Sequence, residues 1–402
     1  MQDYSDWTYE GVMLHDTMAG HPPPNAILKH YPVPNSLETV GIALLCFVFP
    51  AELAAKVWIL IYLWLTFLVS LYLYRSWEFS SPLLWLVAPG IFVGVDFWWG
   101  LVSFLLGVLW VMLLSGMLLR GTNSRWKYAA VLVLAFFTHM VPFSMAMLLL
   151  FCFSIERRRY SLLWQALPGV VLTIWYVFGR YFLGGNADGQ AGMKSTVRYL
   201  STPFWAFKVN TYLKSFDFVN PATSSKGLLA IRVGDAAFLL LFLLNLVIAG
   251  AFLYLIFTSS RRSIRSRSET RFFWIAFAMT LPLIVLLPGA ALGISDPGAR
   301  VLQSALWPAL WLCAGNVRVL RVAAVAAVLL SCVNVWQWST LVFAAPPPVL
   351  SSGRSHLPSV ISKFGQAQYS DRYEYYEALR RGDMSLPVWP TGMFRPAVPS
   401  GR

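Results

Sequence analysis

Residues 101–159 read LVSFLLGVLWVMLLSGMLL (101–119), RGTNSRWK (120–127), YAAVLVLAFFTHMVPFSMAMLLLFCF (128–153) and SIERRR (154–159). Crossing the hydrocarbon core of a bilayer takes about 20 apolar residues in one helix. The first run has that length. The longer run, Tyr128–Phe153, is interrupted at Thr138-His139-Met140-Val141-Pro142. Proline removes a backbone donor and disfavours helix just before it. Basic clusters flank this run at Arg120, Arg125 and Lys127 and at Arg157, Arg158 and Arg159. A straight span would put the clusters on opposite sides of a membrane, whereas a hairpin turning near His139 keeps both on the cytoplasmic side. One kinked helix with its polar residues facing neighbours is the other reading.

Working outward, further apolar runs lie at Ala54–Tyr74, Leu162–Phe182, Ala236–Phe257, Phe272–Ile294 and Val319–Phe343. Shorter or broken ones lie at Val40–Phe49, Pro82–Phe97 and Val301–Ala314, with a second break at Phe97-Trp98-Trp99-Gly100. The expected fold is an all-α, polytopic transmembrane helix bundle of about 9–11 hydrophobic segments, some short or broken. Composition agrees. Of 402 residues, 57% are hydrophobic and 12% charged, about half the charged share of a soluble domain. Mean hydropathy is +0.60. The 18 Trp and 17 Tyr suit interfacial belts.

The net charge of +13 is gathered in short loops between apolar runs. A nucleic-acid-binding protein would present a contiguous basic face, so no nucleic-acid partner is expected. Cys46, Cys152, Cys313 and Cys332 each sit in an apolar run with no metal-site spacing, which reads as buried small hydrophobes.

The loop Thr258–Arg271 carries five arginines and one acid, so it belongs in the cytoplasm. Counting one helix back and one forward puts the loop 184–234 and the Ser295–Arg300 loop outside, and the arm 1–37, poor in basic residues and holding Asp3, Asp6, Glu10 and Asp16, fits the outside as well. The expected organisation is an extracytoplasmic polar arm (1–37), a transmembrane bundle (38–343) with the external loop 184–234, and a C-terminal tail (344–402). An amphipathic stretch at Val197–Phe218 suits an interfacial helix, and the tail shows a helical pattern at Tyr369–Arg381. The arm has no hydrophobic start of the signal-peptide kind.

Candidate chemistry concentrates in the arm, where Asp3, Asp6, Glu10, His15, Asp16, His21, Lys29 and His30 are interleaved with Tyr, Trp and Pro. Carboxylates coordinate a divalent metal ion or act as bases, and Lys or His holds phosphate. The interleaved aromatics are unlike a disordered composition. Elsewhere, Asp96 and His139 lie within apolar runs, where an ionisable group is a functional candidate by default. The end of a short helix and a hydrogen-bonded bundle histidine are the respective alternatives. Arg180 reads as a snorkelling side chain. Arg300, after a Pro-Gly turn, reads either as a grip on a lipid phosphate or as a headgroup anchor.

Gly20-His21-Pro22-Pro23-Pro24-Asn25, then Pro50-Ala51-Glu52-Leu53-Ala54-Ala55-Lys56 and a long helix, together with Thr138-His139 and Pro297-Gly298-Ala299-Arg300, resemble the GT-C class of membrane glycosyltransferases. The likeness runs from residue 3 to about 300. It implies transfer of a sugar from a polyprenyl-phosphate donor on the extracytoplasmic face, at a cell envelope such as the bacterial inner membrane. It also implies Asp3 or Asp6 as the catalytic acid-bearing position, with Glu10, His15, Asp16, His21, Lys29, His30, His139 and Arg300 toward substrate and membrane lipid. In that class a membrane helix precedes the acidic loop; here the acidic residues come first, which keeps a non-catalytic assembly subunit as another reading. A transporter or flippase for an amphipathic substrate is the third, and would show paired interrupted helices or repeats.

Overall fold

The computed structural model describes residues 2–24, 26–78, 80–92, 94–98, 100–122, 124–180, 197–198, 236–266, 268–287, 290–291, 294–295, 297–313, 317–344 and 392–396. These described residues are mostly helical. Their helices are α1 (Gln2–Met18), α2 (Ser36–Cys46), α3 (Ala51–Ser76), α4 (Leu84–Phe92), α5 (Val95–Trp98), α6 (Val102–Leu119), α7 (Arg125–Thr138), α8 (Met140–Glu156), α9 (Leu167–Phe178), α10 (Ala236–Ser266), α11 (Arg271–Leu286), α12 (Pro297–Leu312) and α13 (Val317–Ala344). A 3₁₀ turn, Tyr160–Ala166, leads into α9.

Among the described residues four helices are long and apolar enough to cross a membrane: Ala51–Ser76, Val102–Leu119, Tyr160–Phe178 and Leu243–Ser266. Their environments differ. The window in α6 is 83% buried, and α6 packs against α3, α7, α8 and α12 as the central post. The window ending in α9 is only 11% buried. Trp164, Ile174, Trp175 and Phe178 point outward there, a face too apolar for water and suited to lipid.

The break at His139 has a local cause. His139 is extended (φ −166°, ψ 134°), and α7 ends before it while α8 begins after it. In a continuous helix the Thr138 carbonyl would take the amide of residue 142, but Pro142 has none. Ser103 of α6 supplies the missing donor, its hydroxyl 2.7 Å from the Thr138 carbonyl. His139 closes the other side, its Nδ1 accepting the Val141 amide at 3.2 Å as an N-cap. Pro142 then sits in the first turn of α8, where its missing N–H costs nothing. Both α7 and α8 pack along α6. Gly107 permits this close approach: a Cβ there would lie 2.9 Å from Pro142. Tyr128, near the start of α7, donates to the Met117 carbonyl near the end of α6. The pair is therefore a hairpin, with Arg120–Lys127 and Arg157–Arg159 at one end of the bundle.

The second break follows the same logic. Where α4 ends, the Phe92 carbonyl receives the Tyr62 hydroxyl of α3 at 3.0 Å. After α5, Gly100 takes φ +86° and turns the chain into α6, a conformation open to glycine at no steric cost.

Two sequence expectations change. Arg300 lies inside α12, not in a loop, because Pro297 is preorganised for a first helical position. There Gly298 presses against the Ile284 carbonyl, 2.9 Å from where a Cβ would stand. Residues 290–291 and 294–295, expected within or just beyond an apolar span, form short strands β3 (Ala290–Ala291) and β4 (Ile294–Ser295), paired with β2 (Val197–Arg198). In the arm, α1 buries Tyr4, Trp7, Tyr9, Val12, Met13 and Leu14 and packs on α2 and α3. Residues 26–28 of the arm (β1) pair antiparallel with Phe394–Pro396 (β5). The interfacial stretch Val197–Phe218, beyond its first two residues, and the pattern at Tyr369–Arg381 lie outside the described residues.

Candidate functional site

A polar cluster forms where the two broken segments meet the first turn of α12. Arg300 and Gln303 are one turn apart on α12 and so share a face. Gln303, buried, donates from Nε2 to Oδ2 of Asp96 on α5 at 2.6 Å. Arg300 brings Nη1 to 3.4 Å from His139 Nε2. Phe104 of α6 lies beneath both: its ring centroid is 5.3 Å from the guanidinium carbon and 5.2 Å from the imidazole, which meets it edge-on. Thr138, Ser103 and Ser304 close the interior side as buried hydroxyls.

The tautomer of His139 follows from its cap. Because Nδ1 accepts the Val141 amide, Nδ1 carries the lone pair and the neutral ring carries its proton on Nε2. Nε2–H and the Arg300 guanidinium are then both donors, converging within 3.4 Å. Two converging donors, one permanently cationic, suit an acceptor oxygen of the phosphate or carboxylate kind. Asp96 supplies the opposite function nearby: an acceptor for a hydroxyl or its proton, held in place by Gln303. The cluster thus suits an anion at one side and a hydroxyl at the other. A single carboxylate beside a guanidinium is not a donor set for a divalent ion. Among the described residues no group of three or more His, Cys, Asp or Glu comes together.

The arm residues take other places. The side chains of Asp3 and Asp6 lie outside the described residues. Glu10 is fully buried; its Oε2 accepts the Thr39 hydroxyl at 3.1 Å, and Oε1 accepts the amides of Met393 and Phe394. Lys29, also buried, donates from Nζ to the Gly392 carbonyl at 2.6 Å. His15 pairs with Asp16 at 3.2 Å and meets Phe47 edge-on near the end of α1. His21 and His30 are exposed. Tyr4 donates to the Ala55 carbonyl. Burial first, and then the Glu38 carboxylate, hold the Tyr4 phenol well above its ordinary range, so it stays a donor. Arg180 is buried rather than snorkelling, donating from Nη1 to the Tyr176 hydroxyl at 2.6 Å.

His139, Arg300 and Asp96, candidates in the sequence, come together here; Gln303, Phe104 and Ser103 join them without having stood out. Only Gln303 left a trace, a polar residue one turn after Arg300 in an apolar helix. No protein-family model, no curated protein and no solved structure matches this chain.

Proposed function

We propose that the protein is a multi-pass integral membrane glycosyltransferase of the GT-C kind, transferring a sugar from a polyprenyl-phosphate donor on the extracytoplasmic face, in a bacterial inner membrane. The observation that carries this reading is the convergence of Arg300 and His139 donors beside Asp96, at the opposite end of α6 from the basic loops. A positive-inside orientation makes that end extracytoplasmic.

The reaction would form a bond from an acceptor hydroxyl oxygen to the anomeric carbon and break the bond from that carbon to the phosphate oxygen. The hydroxyl proton passes to a carboxylate, and the leaving phosphate keeps the bonding electron pair. Arg300 and the His139 Nε2–H answer the charge that grows on the phosphate, in a site of low dielectric where such donors act most strongly. Asp96 is the carboxylate this cluster offers for orienting or deprotonating the hydroxyl. The resemblance points to Asp3 or Asp6 for the base.

The decisive experiment incubates purified, reconstituted protein with labelled polyprenyl-phosphate sugars and measures release of polyprenyl phosphate. Release that falls in Arg300→Met and Asp96→Asn supports the reading; no release from any such donor rejects it. A transporter or flippase is the second reading, favoured by the interrupted helices that meet at Asp96 and His139. It predicts movement of labelled lipid between leaflets with the sugar still attached.

A further inference from the structure

Two buried charges of the arm are committed to one short stretch of backbone more than 360 positions away. Lys29 donates twice, its main-chain N–H to the Met393 carbonyl at 2.9 Å and its ammonium to the Gly392 carbonyl at 2.6 Å. The Glu10 carboxylate takes the next two amides, those of Met393 and Phe394. Next to these charges, β1 continues the ladder in register, with Ala26 opposite Pro396, Ile27 opposite Arg395 and Leu28 opposite Phe394. Phe394 of the captured segment is anchored in the core, 1% exposed.

This is the grammar of strand addition. Main-chain hydrogen bonds supply affinity, and a pocket for one side chain supplies selectivity. Here a cation reads carbonyls and an anion reads amides, so the polarity of the bound backbone is fixed as well. Burying Glu10 and Lys29 is costly unless both are satisfied, and the captured backbone contributes to satisfying each. We infer that Glu10, Lys29 and β1 form a binding site for an extended peptide, and that its ligand is Gly392–Pro396 of the same chain, acting as a latch on the arm. The latched arm adjoins the polar cluster. Its α2 packs on α6 and α7, the helices that carry Phe104 and Thr138, and Tyr31 packs against Gly179 at the end of α9. With the latch closed, α1, β1 and α2 are a fixed wall at that end of the bundle.

The test uses the full chain in membranes and reads no activity, so it stands apart from the glycosyltransferase reading. Directly opposed residues of an antiparallel pair lie within disulfide reach, whereas a one-residue offset turns the side chains to opposite faces. With the two cysteines that are not buried, Cys46 and Cys332, changed to serine, the pair Ile27→Cys with Arg395→Cys is oxidised and cross-linking followed in time. Rapid cross-linking is expected, at least tenfold faster than for the offset pair Leu28→Cys with Arg395→Cys. Adding Glu10→Ala should slow the 27–395 cross-link at least tenfold. Adding Lys29→Met, which keeps the main-chain N–H and serves if Glu10→Ala does not fold, should slow it severalfold. Protection of the buried Cys152 and Cys313 from maleimide labelling reports that each variant is folded. Equal rates for the two cysteine pairs, or unchanged rates in the folded Glu10 and Lys29 variants, would overturn the latch.

Discussion

The Ser103 hydroxyl donates at 2.7 Å to the Thr138 carbonyl, the acceptor that Pro142 leaves without a helical partner. Both groups are buried, so neither has bulk water as an alternative. The hairpin that shapes the candidate site therefore depends on a side chain in a third helix.

Ser103→Ala should destabilise the protein by about 1–3 kcal/mol, the usual cost of leaving a buried polar group unsatisfied. Pro142→Ala restores an amide at the position that a continuous helix would use. In that background the same serine change should cost less. Unfolding of the four proteins in mixed detergent micelles closes the cycle. An identical cost of Ser103→Ala in both backgrounds would show that the bond does not compensate for the proline.

His139 has two separable jobs, capping α8 through Nδ1 and facing Arg300 through Nε2. Asparagine is also a good N-cap but cannot present a ring N–H to the guanidinium. Replacing His139 with Asn should therefore keep most of the stability, while alanine should lose about 1 kcal/mol. Both should lower polyprenyl-phosphate release by tenfold or more. Full activity in the asparagine variant would remove the imidazole from the site.

Arg300→Lys keeps the charge but loses the planar fork and the stacking over Phe104. We expect it to fall between wild type and Arg300→Met in donor binding. Phe104→Leu should resemble the lysine variant, because it removes the surface on which the guanidinium rests. Donor titration by intrinsic tryptophan fluorescence reads both. Equal binding by the lysine and methionine variants would show that the charge of Arg300 is not used.

What the sequence exposed and what it hid have physical reasons. The break at His139 was legible because proline acts on its own local backbone. The grouping of Arg120–Lys127 with Arg157–Arg159 followed from that break. Gln303 and Asp96, by contrast, are 207 positions apart, and no periodicity joins them. Glu10 and Met393 are 383 apart. A carboxylate that binds backbone amides leaves no pattern in its partner's side chains, so Glu10 and Lys29 read as free polar groups of an arm. The strand after Pro22-Pro23-Pro24 is three residues long, too short for alternation to register. Arg300 read as a loop residue because Pro-Gly marks turns more often than helix starts.

Sidedness is the last prediction, and the structure chooses its probes. Ser263 in the arginine-rich corner is buried and bonded to Ser268 and Thr270, so a cysteine there would report on packing rather than on access. Ser266, three residues on, is exposed. At the other end of the bundle, Ala19 is exposed just after α1. Arginines cluster around the first position, and acids precede the second in the arm. A positive-inside orientation places them on opposite faces. With Cys46 and Cys332 changed to serine, a membrane-impermeant maleimide added to intact cells should label a cysteine at Ala19 and spare one at Ser266 until the membrane is opened. Labelling of both in intact cells, or of neither, would break the link between the basic corner and the cytoplasm. It would also remove the reason for placing the Arg300–His139 donors at the extracytoplasmic surface.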